Sequence, residues 1–411
     1  NLSSESRRMN KIRVVISGIG VVSSLGTGKD AFWQSLLKAR SGISSVSSFD
    51  TNEFRCHYAG EIKSFCPEDH LDKRKIKFLG KTSQLALTAT YHALKDARLQ
   101  AHHIKGHKSG VFIGSTMGER PLEESIDSWV SHGSDTILKH KTVQSTANVI
   151  PGNIAAYFKF NGPNFLISNA CAAGGFALGY GYDLIRNGTL NFAVVGGSDA
   201  FSKTAFSGFH RLYSMAPEKC QPFDKNRKGM LVGEGAGVLI LESLESAQKR
   251  NAEIYAEILG YGLSCDAYHI TAPKPEGIAK AIHKALQYAN IPPSAIDYIN
   301  AHGTGTPAND KAECLGIKKV FKDRYKEILV SSIKSMIGHT MGASSSIETA
   351  ASCLAIKHGI IPPTINYETP DPECNIDCVP NTPRHHHIQY MLKDSFAFGG
   401  NNCCIVLKKY E

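Results

Sequence analysis

The chain has 411 residues, long enough to bury a large core or to form two fused domains. Hydrophobic residues make up 42% and charged residues 20%, as is ordinary for a soluble globular protein. The formal net charge of +9 favours an acidic partner or an anionic substrate. No dense basic run with interleaved aromatic residues indicates nucleic-acid binding, and no apolar run approaches the ~20 residues of a membrane span.

The eleven cysteines are odd in number and scattered, which is not typical of a disulfide framework. The N-terminal residues also lack the apolar stretch of a signal peptide. Both observations predict a reducing compartment, either the cytoplasm or an organelle matrix. The histidine run 385–387 and the pair Cys374 and Cys378 lack the paired spacing of a structural zinc site. We therefore predict core or loop roles for them, with no metal and no cofactor.

Short β-branched runs alternate with longer helical stretches along the chain, which predicts an α/β protein. In chain order the predicted strands cover residues 13–18, 109–113, 164–168, 192–196, 237–242, 254–261, 298–301, 328–331 and 403–407. The clearest predicted helices cover residues 82–97 and 276–289.

Two segments suggest an internal duplication. Residues 171–188 and residues 342–359 each begin with small residues, continue as a helix and end at a glycine. For the second segment the pattern indicates an amphipathic helix. Each segment is a candidate for the central helix of one half, so the pattern predicts two similar halves stacked as layers.

Four glycine-rich stretches at strand ends combine glycine with reactive or hydrogen-bonding side chains, at residues 169–175, 300–310, 331–344 and 395–402. Cys171 lies in the first of them, where a strand leads into a helix. The helix dipole and the free amide groups of a first turn favour a thiolate, so we expect a lowered pKa for this thiol. The alternative is a small, inert core cysteine.

Two glycine-flanked histidines, His302 and His339, lie in the second and third stretches. Together with a candidate nucleophile they form a constellation that is recognisable by its roles. Lys334 and Glu348 are spaced to form an ion pair that positions His339. The alternative for this pair is an ordinary structural contact at the surface.

The motifs "GPNFLISNACAAG", "NAHGTGTP", "KSMIGH" and "SFAFGGNN", in this order, resemble the β-ketoacyl synthase family, and its synthase II members most closely. The resemblance implies a thiolase fold, in which two similar halves form a five-layered α-β-α-β-α sandwich. We expect residues 11–260 to form the N-terminal half with Cys171 and the dimer and acyl-pocket insertions. Residues 261–411 are expected to form the other half, with His302, His339 and the loop of Phe398.

The resemblance also implies a decarboxylative Claisen condensation. Cys171 would take an acyl group from a carrier thioester, with the backbone amides of Cys171 and Phe398 as the oxyanion hole. His302 and His339 would hold a malonyl thioester as CO2 leaves, and both are expected to be neutral. Lys334 and Glu348 match the family pair that supports the second histidine. Substrate contacts are implied for Met117, Thr304, Thr306, Asp266, Thr271, Phe396 and Phe398.

The family implies an acidic acyl carrier protein as partner and a homodimer, with a heterodimer with a related subunit as an alternative. Charge alone selects candidate docking residues: Lys73, Arg74, Lys75, Lys77 and Lys81, with Lys203 and Arg211. For residues 72–81 the alternative is a solvated helix face.

Some positions depart from the family pattern, which leaves fatty-acid elongation and a specialised polyketide or polyene pathway both open. Ala397 replaces a flexible glycine before Phe398, and Asn169 lies beside the nucleophile. Glu119, near the size-determining Met117, signals a polar or short acyl chain or else points to solvent. The "GTGTP" motif is closer to polyketide ketosynthases. A non-catalytic chain-length factor is a further alternative, although such subunits lack the cysteine.

Overall fold

The first apolar run of the chain forms a ten-residue strand that is buried along its whole length, Val14–Ser23. The protein is described by a computed structural model, which covers residues 12–99, 108–120, 123–137 and 139–411. Its strands are β1 (Val14–Ser23), β2 (Gly26–Thr27), β3 (Ser44–Ser45), β4 (Tyr58–Ala59), β5 (Ser109–Gly114), β6 (Asn164–Ile167), β7 (Phe192–Asp199), β8 (Gly235–Ser243), β9 (Ala256–Cys265), β10 (Tyr298–Asn300), β11 (Leu329–Ser331), β12 (Ile360–Ile361), β13 (Arg384–His385), β14 (Tyr390–Ala397) and β15 (Asn401–Lys408).

The α-helices of the described residues surround and separate these strands. They are α1 (Lys29–Leu37), α2 (Lys73–Ile76), α3 (Lys81–Asp96), α4 (Glu123–His132), α5 (Lys139–Val143), α6 (Val149–Phe158), α7 (Ala173–Arg186), α8 (Lys203–Arg211), α9 (Leu244–Lys249), α10 (Pro275–Ala289), α11 (Pro307–Phe321), α12 (Lys334–Ile337) and α13 (Ser344–His358).

The long strands repeat one topology twice. The first sheet has the spatial order β6-β5-β7-β8-β1, and the second has the order β11-β10-β14-β15-β9. Numbered by chain order within each sheet, both read 3-2-4-5-1. The directions also agree, because strand 2 is parallel to strands 3 and 4 in both sheets while strand 5 is antiparallel to strands 4 and 1. The duplicated segments of the sequence therefore occupy equivalent places.

The helices complete a five-layered sandwich. Helices α7 and α13 contact each other between the two sheets, α3 and α6 cover the outer face of one sheet, and α10 and α11 cover the other. This α-β-α-β-α arrangement confirms the predicted fold class. Helix α13 is buried on every side from Ser344 to Ile356, so the prediction of an amphipathic helix there was wrong. Its serines and alanines suit a helix enclosed between two sheets, where large side chains would not fit.

The two sheets meet where β1 pairs antiparallel with β9, from Val14 opposite Ile258 to Ile16 opposite Ala256. The predicted boundary between residues 260 and 261 falls inside β9. The division into halves stays a prediction. The second copy of the strand order begins with β9, at Ala256.

One long strand is absent from the sequence-based prediction. Strand β14 crosses the second sheet, and Lys393 and Asp394 lie in its middle. Two consecutive charged residues interrupt the apolar pattern that marks a buried strand. In the fold both side chains are nevertheless buried, because they belong to the polar interior behind the candidate site.

Candidate active site

Cys171 lies in a single 3₁₀ turn, Ala170–Ala172, between the end of β6 and the start of α7. It is buried, with 7% of its surface exposed. The residue before it, Ala170, has a φ of +45°, which is unfavourable for a residue with a Cβ. Local strain of this kind is common at functional sites, where the surrounding structure holds it in place.

The pKa of Cys171 differs from the sequence-based expectation. Burial raises it to about 11, although the Lys334 ammonium and the backbone amides of Cys171 and Phe398 act to lower it. The expectation of a lowered pKa was wrong because removing the thiolate from water outweighs the favourable amides and charge around it. Both amides act on the thiol, and the oxyanion hole that they would form stays a prediction.

The position of one proton on His339 follows from its hydrogen bonds. Its Nδ1 accepts the backbone N–H of Met341 at 3.0 Å and lies 3.0 Å from the Ser344 hydroxyl. Because Nδ1 is an acceptor, the neutral ring carries its proton on Nε2. Burial and the nearby ammonium groups of Lys334 and Lys393 hold the pKa of His339 well below its usual range. His339 is thus a neutral Nε2–H donor.

His302 follows β10 and is held by its backbone. The amides of His302 and Gly303 donate to the two carboxylate oxygens of Glu313 at 2.7 and 2.8 Å. Burial, the Lys334 ammonium and His339 hold the pKa of His302 well below its usual range. The rings of His302 and His339 lie 5.4 Å apart and are nearly perpendicular. Glu313, on α11, was not singled out from the sequence.

The predicted pair Lys334 and Glu348 forms an ion pair that is fully buried, so the surface alternative is wrong. The Lys334 ammonium also donates to the backbone carbonyl of His302 at 2.7 Å. The pair therefore supports the first histidine directly, whereas the sequence reading assigned it to His339. A third charged group, the Lys393 ammonium, lies 2.6 Å from the Glu348 carboxylate. Lys393 was missed because it lies in the unpredicted strand.

The Phe398 loop is a tight turn, Phe398–Gly400, between β14 and β15. Gly399 and Gly400 have φ values of +80° and +71°, which glycine adopts readily. A Cβ on Gly400 would lie 2.6 Å from the Cβ of Asp266. Ala397 has a φ of −115° and extended backbone, a conformation that alanine adopts without strain.

A cavity of about 320 Å³ brings these groups together. Its wall includes Cys171, both histidines and Phe398, and the predicted contacts Thr271, Thr304, Thr306 and Phe396 also line it. Exposed apolar side chains stand nearby, at Leu212, Tyr213, Tyr268 and Ile270.

Two predicted substrate contacts are not on this wall. The Asp266 carboxylate accepts the amide of Lys274 at 2.9 Å and the side chain of Asn402 at 2.8 Å, which stabilises the loop outside the Phe398 turn. The Met117 amide donates to Asp199 at 2.8 Å. The structure thus gives Asp266 a supporting place and ties the backbone of Met117 to Asp199.

Asp199, at the end of β7, was also missed by sequence reasoning. Its buried carboxylate accepts the amides of Thr116 and Met117 from one loop and the amide of Gly342 from the His339 loop. Burial raises its pKa to about 6. It therefore ties the loop of Met117 to the loop of His339.

Glu119 neither points to solvent nor lines the cavity. It is buried, and its carboxylate accepts the amide of Ser83 at 2.6 Å. Ser83 lies in the first turn of α3, whose amides have no helical acceptor. Glu119 therefore caps α3, and the alternative that it points to solvent was wrong, while a polar or short acyl chain stays a prediction.

The predicted docking residues lie on or beside three helices, α2, α3 and α8. Lys73, Arg74 and Lys75 lie exposed on α2, whereas Lys81 is paired with the buried Glu234 at 2.7 Å. The remaining members are also exposed: Lys77 just after α2, and Lys203 and Arg211 at the two ends of α8. Because Phe209 of α8 lines the cavity, Arg211 at the end of this helix lies near the cavity mouth.

The described residues contain no group of three or more His, Cys, Asp or Glu side chains able to hold a metal ion. None of the helices there is both long and apolar enough to cross a bilayer.

Comparison with known proteins agrees with this arrangement. The β-ketoacyl synthase N-terminal domain matches residues 11–247, and the C-terminal domain matches residues 255–368. A 3-oxoacyl-[acyl-carrier-protein] synthase 2 from Synechocystis sp. is 38% identical over 98% of this chain and 99% of its own length. A protein of the same name from Staphylococcus aureus is 38% identical over 97% and 99%.

Solved structures match as closely. The ishigamide ketosynthase/chain length factor is 39% identical, with a TM-score of 0.95 over 98% of this chain and 100% of that one. A ketosynthase solved with its type II polyketide acyl carrier protein is 32% identical, with a TM-score of 0.91 over 97% and 100%. The chain belongs to the β-ketoacyl synthase family and is an acyltransferase-type condensing enzyme of fatty-acid or polyketide chain elongation.

Proposed function

We propose that Cys171 carries the growing acyl chain. Its sulfur attacks the thioester carbonyl of an acyl carrier protein, the carrier thiol leaves, and an acyl-enzyme forms. The observation that supports this most is that Cys171 lines one cavity together with His302, His339 and Phe398. We assign the backbone amides of Cys171 and Phe398 as its oxyanion hole. Donors placed in this way stabilise the negative oxygen of the tetrahedral intermediate, each by about 3 kcal/mol.

The two histidines then bind the malonyl thioester. The Nε2–H of His339 is positioned to donate to its carbonyl oxygen, and His302 lines the same wall. The carbon–carboxylate bond breaks, CO2 leaves, and its electron pair forms an enolate whose oxygen the neutral donors stabilise. The enolate carbon attacks the acyl-Cys171 carbonyl, the sulfur leaves, and a β-ketoacyl carrier thioester is released.

Hydroxyl groups line the route to this centre. The hydroxyls of Thr304 and Thr306 lie 2.8 Å apart, and Thr271 and Phe396 line the same cavity. We assign this stretch to the pantetheine arm, whose amides match hydroxyl partners and whose methyl groups match the phenylalanine. Met117 and Asp266 then act indirectly, by holding loops.

We assign carrier docking to the exposed lysines and arginines of α2 and α8, because a net charge of +9 favours an acidic partner. Reversing charge at Arg211, near the cavity mouth, should raise the KM for the acyl carrier and flatten its salt dependence. The matched control is Arg40→Glu, an exposed arginine outside the cavity lining. An unchanged carrier KM for Arg211→Glu would rule out this surface.

A dimer, formed with a second copy or with a related subunit, is proposed through the sheet edge at β6. Among the described residues β6 pairs on one side only, with β5, and its Phe165 is 48% exposed. An edge strand with an exposed aromatic ring is suited to pairing with another chain. A cytoplasmic or organelle-matrix location remains our proposal from cysteine usage.

A panel of acyl carrier thioesters, with malonyl carrier as extender, tests the function and separates the pathways. Purified protein alone should convert them to β-ketoacyl products, read by mass spectrometry. Preference for saturated chains would favour fatty-acid elongation, and preference for unsaturated or β-keto chains would favour a polyketide or polyene pathway. Activity that needs a second subunit would favour the heterodimer. No product from any chain, alone or with a related subunit, would indicate a non-catalytic chain-length factor, which the retained Cys171, His302 and His339 argue against.

A further inference from the structure

A buried lysine outside the predicted machinery lies at the centre of the polar interior. Lys393, in the middle of β14, has no exposed surface. Its ammonium lies 2.6 Å from the Glu348 carboxylate, donates to the carbonyl of Asp394 at 2.7 Å and contacts the Ser395 hydroxyl. A buried ammonium is costly unless it is partnered, and these three oxygen contacts stabilise the charge of Lys393.

On one side Lys393 reaches the histidines. Glu348 lies between two ammonium groups, those of Lys393 and Lys334. Lys334 in turn donates to the carbonyl of His302. Lys393 thus reaches the backbone of His302 through one carboxylate and one ammonium.

On the other side Lys393 reaches the nucleophile. The Ser395 hydroxyl lies 2.8 Å from the Ser345 hydroxyl, which donates to the backbone carbonyl of Cys171 at 3.0 Å. Ser395 also lies three residues before Phe398 on the same strand and turn. One side chain therefore joins the histidine loop, the nucleophile turn and the strand that delivers Phe398.

We propose that Lys393 is a positioning residue for the condensation: it fixes the Cys171 turn and the Phe398 strand against the His302 loop and adds a second buried positive charge behind the two histidines. This inference rests on the residue roles proposed above. Its direct contacts are to Glu348 and β14, so it acts through other groups.

The added charge has a measurable consequence. The groups facing the two histidines are the ammoniums of Lys334 and Lys393, the carboxylates of Glu348 and Glu313, the Cys171 thiol and the other ring, with the buried Asp394 carboxyl acting on Glu313. Both lysines lower the histidine pKa values. Removing one ammonium raises those pKa values, so histidine protonation sets in at a higher pH.

The test compares Lys393→Met and Ser395→Ala with the wild type and with Lys408→Met, a control lysine on the neighbouring strand. We expect Lys393→Met to lower kcat at least tenfold, to leave the malonyl-carrier KM within about twofold, and to move the acid limb of the rate profile to higher pH. Ser395→Ala should lower kcat about threefold without moving that limb. Lys408→Met should match the wild type.

Circular dichroism and thermal melting accompany each variant. Wild-type kcat and an unmoved acid limb in folded Lys393→Met would overturn the proposal. If that variant does not fold, Ser395→Ala decides, and a wild-type kcat there would overturn it as well. Failure of the proposed function would appear differently, as wild-type protein without condensation or Cys171→Ala with full activity.

Discussion

The two halves place different chemistry at the same topological position. In each, the chain leaves the third strand of its sheet and enters the central helix. In the N-terminal half that connection runs from Ile167 to Ala173 and carries an uncharged thiol among alanines. In the C-terminal half it runs from Ser331 to Ser344 and carries Lys334 and His339. The duplicated frame therefore brings the Cys171 thiol and the His339 ring to the wall of one cavity.

A second contrast concerns the fourth and fifth strands of each sheet. In the N-terminal half residues 200–234 connect them, and α8 within this segment contributes to the cavity mouth. In the C-terminal half three residues, Phe398–Gly400, complete the turn. A long connection can carry a partner surface, whereas a tight turn can place one amide with precision. The N-terminal half thus supplies access and the nucleophile, and the C-terminal half supplies fixed donors.

The largest effect is expected from removing the nucleophile. Cys171→Ala should lower condensation by a factor of about 10³ or more, because no acyl-enzyme can form. If the Cys171 thiol and the two histidines act in separate steps, decarboxylation of malonyl carrier should persist. Product and CO2 release are measured by mass spectrometry and carbonate trapping. Cys353→Ala, another buried thiol away from the cavity, is the control, and its activity should be near wild type.

Removing the His339 donor is expected to lower activity nearly as much as removing the nucleophile. His339→Ala removes the Nε2–H donor and should lower decarboxylation and condensation by about 10²- to 10³-fold. Acylation of Cys171 by an acyl carrier, read as a mass increase on the intact protein, should be reduced much less. His92→Ala, a histidine on α3 outside the cavity, is the control. If His339→Ala lost acylation as strongly as it loses decarboxylation, the thiol and the histidines would not serve separate steps.

The raised pKa of Cys171 predicts slow alkylation at neutral pH. At any pH well below the pKa of about 11, an increase of one pH unit raises the thiolate fraction about tenfold. The rate at which iodoacetamide alkylates Cys171 should therefore keep rising past pH 9. Peptide mass spectrometry would follow Cys171 with the exposed Cys265 as an internal reference. A plateau for Cys171 below pH 9 would instead support the helix-dipole expectation drawn from the sequence.

A smaller effect is expected in the Phe398 turn. Gly400→Ala places a Cβ against Asp266 in backbone with a positive φ, so it should destabilise the fold by about 1 to 3 kcal/mol and slow acylation by displacing the Phe398 amide. Gly152→Ala, in a helix with open space around the new Cβ, is the control and should be neutral or slightly stabilising. Urea unfolding and the rate of acylation measure both effects. Wild-type behaviour of Gly400→Ala would mean that the turn is adaptable.

Much of the fold could be predicted from the sequence because apolar periodicity and glycine placement are local signals. The strands around Val14, Phe192 and Gly237 lie where the pattern predicted them, with ends shifted by a few residues. Strand β14 was missed because Lys393 and Asp394 break the pattern. Glu119 was misread for a related reason: a charge near a predicted pocket has no direction in the sequence, and its partner Ser83 is 36 residues away.

The sequence by itself determined the family, the layered architecture and the identities of Cys171, His302 and His339, because these depend on motifs and their order. The tertiary structure decided what surrounds them. It raised the pKa of the thiol by burial, placed the His339 proton on Nε2 through the Met341 amide, and assembled Lys334, Glu348 and Lys393 into one buried cluster. Desolvation and hydrogen bonding depend on neighbours that are distant in the chain, so only the folded arrangement sets them.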